Sequence, residues 1–191
     1  PDVFYYLTLY NENYVMPAMP EHVSSDDVMR GLYRWSEAPT NDDGSKRYER
    51  NVSLLFSGTA QGAAFTAADE LAEKYGVGVE LWSATSYKAL REEALARERE
   101  NRLHPADDPT APVVTQLLDG GDGPIVAVTD FMKIVPEQIA RFVPSRHFVP
   151  LGTDGMGRSD TREALRRHFE TDAGHVVVAV LSALAADGKS S

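Results

Sequence analysis

The sequence predicts a three-layer α/β/α sandwich built on a mostly parallel sheet of about five strands, with one antiparallel strand at an edge. Three observations lead there. Beyond residue 51, short apolar runs such as NVSLLFS (51–57) alternate with stretches of helical periodicity, the pattern of a parallel sheet buried by helices on both faces. Ahead of them, GLYRWSE (31–37) reads as a further strand, separated from 51–57 by the almost wholly polar PTNDDGSKRYER. Pairing these two strands antiparallel places the first at a sheet edge. Finally, 191 residues are enough for one sizeable core plus an extension.

In chain order, VFYYLTLY (3–10) is apolar and aromatic on both faces and reads as a strand suited to burial against a preceding domain. MPAMPEHVSSDD (16–27), with two Pro, small residues and acids, reads as a linker. The expected division is therefore 1–27 as the end of a preceding domain with its linker, and 28–191 as the domain proper. Pro1 leads directly into the first strand-like segment, without an initiator Met or a signal-like start, so the chain is expected to be a piece of a longer polypeptide. The main strands are expected at 51–57, 77–82, 124–129 and 147–151. A helix from about Ala60 to Tyr75 carries Ala64, Ala68, Leu71 and Tyr75 on its inner face, with Gly76 as a left-handed cap. The next, about 86–101, takes Thr85 as N-cap and Tyr87, Leu90 and Ala94 as its inner stripe, and pairs Glu93 with Arg97 and Glu98 with Arg102 outside. Residues 103–122 hold three Pro and a Gly pair and read as a loop broken by a short helix at Val113–Leu118. A helix at 136–142 starts with Pro136 in its first turn and stops before Pro144. Asp160 with Glu163 resembles a capping box for a helix at 161–170. The last helix, about 172–186, is apolar over most of its surface and ends before Gly188.

Composition narrows function. Nineteen Lys and Arg against 29 Asp and Glu give a formal net charge of −10, which repels nucleic-acid phosphates and anionic lipid. Cysteine is absent, so disulfides and thiolate metal sites are excluded and a reducing cytoplasm is compatible. The most apolar stretch, VVVAVLSALAA (176–186), falls short of the roughly 20 residues that span a bilayer.

Candidate chemistry collects at the C-terminal ends of the expected strands, where ligands of open α/β sheets usually sit. Four turns lie there: Ser57-Gly58-Thr59, Ser83-Ala84-Thr85, Thr129-Asp130, and Gly152-Thr153-Asp154-Gly155 with Arg158 nearby. The same residue types also serve as helix caps and tight turns. Asn11, Glu12, Asn13 and Tyr14 concentrate two carboxamides, a carboxylate and a phenol behind an apolar segment. That is more hydrogen-bonding capacity than a solvated turn requires, although packing and capping of a domain junction is the competing explanation. Gly121-Asp122-Gly123 reads as a turn and is assigned no metal. The five His residues, 22, 104, 147, 168 and 175, lack the spacing of a metal site. Hydrolase, zinc-protease and P-loop signatures do not occur, and no Gly-x-Gly-x-x-Gly follows a strand, which argues against a stand-alone nucleotide-binding domain.

Three strings together, YNENYVMPAMP (10–20), VTDFMKIVPEQIARFVP (128–144) and GTDGMGRSDTREALRRHFE (152–170), resemble the homodimeric pyruvate dehydrogenase component family of bacteria. The resemblance implies a sandwich of the transketolase C-terminal type, preceded at 1–27 by the end of a pyrimidine-binding domain. It implies a cytoplasmic parent enzyme that uses thiamine diphosphate and Mg2+ to decarboxylate pyruvate oxidatively after glycolysis. That parent passes the acetyl group to the dihydrolipoamide acetyltransferase core. The fragment itself is expected to serve dimer assembly and active-site geometry, to be inactive alone and to bind neither cofactor nor metal. The thiamine motif opens with Gly-Asp-Gly but closes on an Asn pair about thirty residues later, where 149–153 here read VPLGT. Tyr14 matches a tyrosine of the family's substrate channel, with Asn11, Glu12 and Asn13 as companions. A histidine that partners this tyrosine in a relative is replaced here by Ala63, and a second histidine by Val15. A transketolase or deoxyxylulose-phosphate synthase parent, or a free-standing interaction module, are the alternatives, and the aromatic-rich 10–20 string argues against the first two.

Overall fold

A computed structural model describes residues 2–7, 9–10 and 12–188. Its elements are α1 (Ser25–Arg30), β1 (Leu32–Ser36), β2 (Arg50–Phe56), α2 (Gln61–Tyr75), β3 (Val77–Ala84), α3 (Tyr87–Leu103), α4 (Val113–Leu118), β4 (Ile125–Val128), α5 (Ile134–Glu137), β5 (Phe148–Leu151), α6 (Arg162–His168) and α7 (Ala173–Ala186). One sheet in the order β1-β3-β2-β4-β5 organises them. β2 is central and parallel to both neighbours, with Leu54 opposite Leu81 on one side and Val126 on the other.

Successive side chains of a strand point to opposite faces, and β2 shows why both faces need cover. Val52, Leu54 and Phe56 enter one core with Ala64, Ala67 and Leu71 of α2 and Val176, Val177, Val180 and Leu184 of α7. Leu55 enters the other with Tyr87, Leu90 and Ala94 of α3, Val114 and Leu118 of α4, and Ile139, Phe142 and Val143. These are the three expected layers, with the one antiparallel strand at an edge.

Several local expectations are corrected. The edge strand β1 pairs with β3, Leu32 opposite Ala84, and not with β2, because both sides of β2 are already taken by parallel strands. β3 extends to Ala84, so Ser83-Ala84 belongs to the strand. Ser86, not Thr85, caps α3 by accepting from the Ala89 N–H, and the Thr85 hydroxyl donates to the Val28 carbonyl instead. Glu93 pairs with Arg97 as expected, but Glu98 reaches across to Arg141 rather than along its own helix to Arg102. On α2 the second inner position is Ala67 rather than the partly buried Ala68, while Tyr75 is 41% exposed at the helix end. The helix expected at 136–142 is two short pieces, α5 and a 3-10 turn at Ala140–Phe142, with Pro136 third in α5. α6 is capped by Thr161, whose hydroxyl accepts from Ala164 N–H, one residue beyond Asp160. The supposed linker at 16–27 ends inside α1, whose capping box joins Ser24 to Asp27.

Residues 162–186 are long and apolar enough by composition to cross a membrane as one helix. They do not form one helix: the chain breaks between α6 and α7, where Glu170 takes φ 59°, and α7 buries its apolar face on the sheet.

Among its described residues the segment 3–10, expected to be buried against a preceding domain, forms no strand within this chain. Its described residues pair with no strand, and Phe4, Tyr5, Tyr6, Leu7 and Leu9 are almost fully exposed. Apolar patterning reports a need for burial but does not choose a partner, and the described residues of this segment pair with neither edge strand, β1 or β5. Pro1, Thr8 and Asn11 lie outside the described residues.

Candidate functional site at the C-terminal edge of the sheet

From β2 the chain crosses to β3 on one side and later returns to β4 on the other, so the turns following β2 and β4 diverge around a crevice. Asp130, just past β4, ties that crevice together. Its Oδ2 accepts from the backbone N–H of Thr59 at 3.2 Å and from the Tyr10 hydroxyl at 3.1 Å. Its Oδ1 is buried without a partner, packed beneath Gly58. Gly58 adopts φ +57°, and a Cβ there would fall 2.0 Å from Oδ1, so only glycine lets the turn close over this carboxylate. Beside it the Ser57 hydroxyl donates to Thr129 Oγ1 at 2.7 Å.

The β5 turn is braced onto the same place. The Thr153 hydroxyl donates to the Asp130 carbonyl at 2.9 Å, the Thr153 N–H donates to the Phe131 carbonyl, and Asp154 Oδ1 accepts from the Lys133 N–H at 2.8 Å. Gly152 is buried against Phe131 and Lys133 backbone. Gly155 and Arg158 are exposed, Arg158 lying 3.5 Å from His168 Nδ1. Of the four turns, three are thus brought together, and the one after β3 is not.

The segment that follows the exposed aromatics folds onto this edge. Tyr10 and Tyr14 stack edge to face with ring centres 5.8 Å apart. Burial, and then the Asp130 carboxylate, push the Tyr10 phenol above its ordinary pKa. The half-buried Tyr14 hydroxyl donates to Glu12 Oε2 at 2.9 Å and accepts from Arg166 Nη2 at 3.2 Å. Glu12 Oε2 in turn meets Arg162 Nε at 2.5 Å. Arg162 and Arg166 stand one turn apart on α6 and therefore share a face. Asn13 and Val15 are exposed, and Ala63 is half-buried on α2. Behind this network lies a cavity of about 160 Å³ lined by Thr59, Asp130, Thr153, Leu165, Arg166 and Phe169, among others. A phenol set between a carboxylate and a guanidinium is chemically equipped to hold or donate to a substrate oxygen. Sequence reading singled out Glu12 and Tyr14 but missed Tyr10, Arg162 and Arg166. The Arg162/Arg166 spacing was the available signal.

Gly121-Asp122-Gly123 lies at the opposite end of the sheet and is a turn built around Arg146. The buried guanidinium donates to the carbonyls of Leu118 at 2.7 Å, Asp122 at 2.7 Å and Gly123 at 2.8 Å, and to Ser53 Oγ at 3.1 Å. Burial holds its pKa below the ordinary value. The Asp122 carboxylate pairs with Lys46. Two cations thus already engage the oxygens of this turn, which disfavours a further cation such as Mg2+ there.

A family model described as the transketolase-like TK C-terminal domain matches residues 31–172. The chain belongs to that family. Solved structures agree on the fold of this transketolase-like domain: transketolase from Leishmania mexicana superposes with a TM-score of 0.55 at 18% identity, covering 90% of this chain and 21% of that one. A Pichia stipitis transketolase in complex with sedoheptulose 7-phosphate gives 0.54 at 17% identity, over 88% and 20%. Relatives closer in sequence are the pyruvate dehydrogenase E1 components of Pseudomonas aeruginosa, 44% identical over 187 residues, and Mycolicibacterium smegmatis, 45% identical over 188. That of Escherichia coli K12 is 44% identical over 188 residues. Each match covers 98% of this chain but 20% of the relative, so the transketolase-like domain and its arm span about a fifth of those proteins' length.

Proposed function

We propose that this chain is the C-terminal part of a pyruvate dehydrogenase that decarboxylates pyruvate oxidatively and passes the acetyl group to a lipoyl acetyltransferase. One observation carries the reading: an alignment of 44% overall identity extends over 98% of the chain, beyond the 31–172 domain. The transketolases share the fold at 17–18% identity, which supports no substrate.

On this reading residues 1–27 are the end of a preceding domain and 28–191 the C-terminal domain. The parent is a cytoplasmic homodimer. Thiamine diphosphate with Mg2+ supplies the carbon nucleophile and electron sink there. The Gly121-Asp122-Gly123 turn of this chain does not fit the Mg2+ that accompanies that cofactor, since its oxygens already engage Arg146 and Lys46. Their contribution is positional. The arm presents the Tyr14 phenol at the sheet edge, and Asp130 anchors the arm through Tyr10. Gly152, Thr153 and Asp154 hold the adjoining loop, while Asn13, Gly155 and Arg158 are candidates for outward contacts and Asn11 is a candidate by sequence alone.

The test is an assay of the full-length protein with pyruvate, thiamine diphosphate, Mg2+ and a lipoyl domain. Acetylated lipoyl product is expected, and Tyr14→Phe should lower kcat with little change in melting temperature, since one hydroxyl is lost. Calorimetric titration of the isolated chain with cofactor and Mg2+ should give no saturable heat. Absence of pyruvate turnover in the full-length protein overturns the reading of the parent, and an unchanged kcat in Tyr14→Phe overturns the role of Tyr14.

A further inference from the structure

We infer that Arg166 is a positioning residue for the reaction, acting through the Tyr14 phenol, with Arg162 holding Glu12 as the other half of the clamp. The inference rests on the placement of Tyr14 in the reaction proposed above. It starts from hydrogen-bond capacity. A phenol has one hydrogen to give, and in this structure that hydrogen goes to Glu12 Oε2 at 2.9 Å. To donate to a substrate oxygen, Tyr14 must turn its hydrogen away from Glu12 while its oxygen stays in place.

Two features of α6 serve those two requirements. Arg166 Nη2 donates to the phenol oxygen at 3.2 Å, which fixes the oxygen whichever way its hydrogen points and makes the hydrogen a better donor. Arg162 Nε sits 2.5 Å from the same Glu12 oxygen that accepts from Tyr14. An acceptor already engaged by a guanidinium competes less strongly for the phenol hydrogen. Because both arginines project from one face of a short helix capped by Thr161, their separation is set by the backbone. The histidine that partners the tyrosine in a relative has no counterpart at Ala63. Among the described residues, Tyr14 bonds to α6 and to its own arm rather than to α2.

A double-mutant cycle in the full-length enzyme tests this. Tyr14→Phe, Arg166→Gln and the double variant are compared for kcat and KM with pyruvate. Removing a charge-assisted hydrogen bond should cost about tenfold in kcat, with KM little changed, and Arg166→Lys should restore part of the loss because it restores a charged donor. The Tyr14→Phe variant should be insensitive to Arg166→Gln. If Tyr14→Phe lowers kcat but Arg166→Gln leaves it at wild type, or the two losses multiply, the coupling is overturned while the role of Tyr14 stands. If Tyr14→Phe is silent, the underlying reading and this inference both fall. Thermal unfolding of Arg166→Gln at the wild-type midpoint separates positioning from loss of fold, and a lowered midpoint with no rescue by lysine assigns Arg166 to stability instead.

Discussion

The Ser57 hydroxyl and the Thr129 hydroxyl meet at 2.7 Å in the interior, joining the C-terminal ends of β2 and β4 directly beneath the crevice. Thr129 Oγ1 also accepts from the Phe131 N–H at 3.2 Å. Thr129→Val strands both donors in a dry site and should destabilise by about 1–3 kcal/mol. Adding Ser57→Ala removes one stranded donor and should recover part of the loss. Urea unfolding of the three variants checks this, and strictly additive losses would show that the two hydroxyls do not depend on each other.

Gly58→Ala should be costly for two separable reasons. The left-handed conformation costs an alanine about 1–2 kcal/mol, and the added carbon lands on the Asp130 carboxylate. Asp130 must move, releasing the Thr59 N–H and the Tyr10 hydroxyl together. The expected result is a lowered urea midpoint accompanied by faster hydrogen exchange at Thr59. A lowered midpoint with Thr59 still protected would mean that backbone strain acts alone.

At the other end of the sheet, Arg146→Ala leaves the carbonyls of Leu118, Asp122 and Gly123 without their shared donor. A loss of at least about 3 kcal/mol is expected. Arg146→Lys should recover little, because an ammonium cannot fork toward carbonyls spread around a planar guanidinium. Full stability in the lysine variant would show that charge, rather than fork geometry, holds the turn.

Acid sensitivity should concentrate at Asp172, the N-cap of α7. Burial pushes its carboxyl up, but the His175 backbone N–H and imidazole pull it down further, leaving a net depression below the ordinary value. A depressed carboxylate contributes stability that is present above its unfolded pKa and lost as pH falls through the lower native value. Asp172→Asn should therefore keep the cap at neutral pH and flatten the acid limb of the stability profile. Asp172→Ala should cost about 1 kcal/mol at neutral pH. An unchanged acid limb in the asparagine variant would place the acid-labile group elsewhere.

What could be read ahead of the structure was what short stretches of chain decide for themselves. Tyr87, Leu90 and Ala94 recur at helical spacing, and all three are buried. The apolar run from Val176 covers the sheet as α7, and 51–57 is the strand at the middle of the sheet. Partner choice was the part that stayed hidden. Polar residues between β1 and β2 are compatible with a hairpin, yet β3 and β4 already flank β2, and nothing local in GLYRWSE distinguishes one neighbour from another. The same gap affected the site. Glu12 and Tyr14 stood out as chemistry without an explanation, whereas nothing local to α6 tied Arg162 and Arg166 to an arm far earlier in the chain. Exposed aromatics at 4–6 show the limit from the other direction: composition signals that a surface wants cover but does not name the cover.

The pairing of β1 with β3 also bears on how the chain reaches its fold. Leu32 finds Ala84 only after β2, α2 and nearly all of β3 have been laid down between them, and the Gly31 carbonyl then receives the N–H groups of both Thr85 and Ser86. The entropy of closing so long a loop is repaid only once β3 is seated against β2. Refolding should therefore be ordered in time, with the parallel β2 and β3 pair first and the antiparallel β1 added onto it afterwards, so that substitutions in β1 change the unfolding rate more than the folding rate.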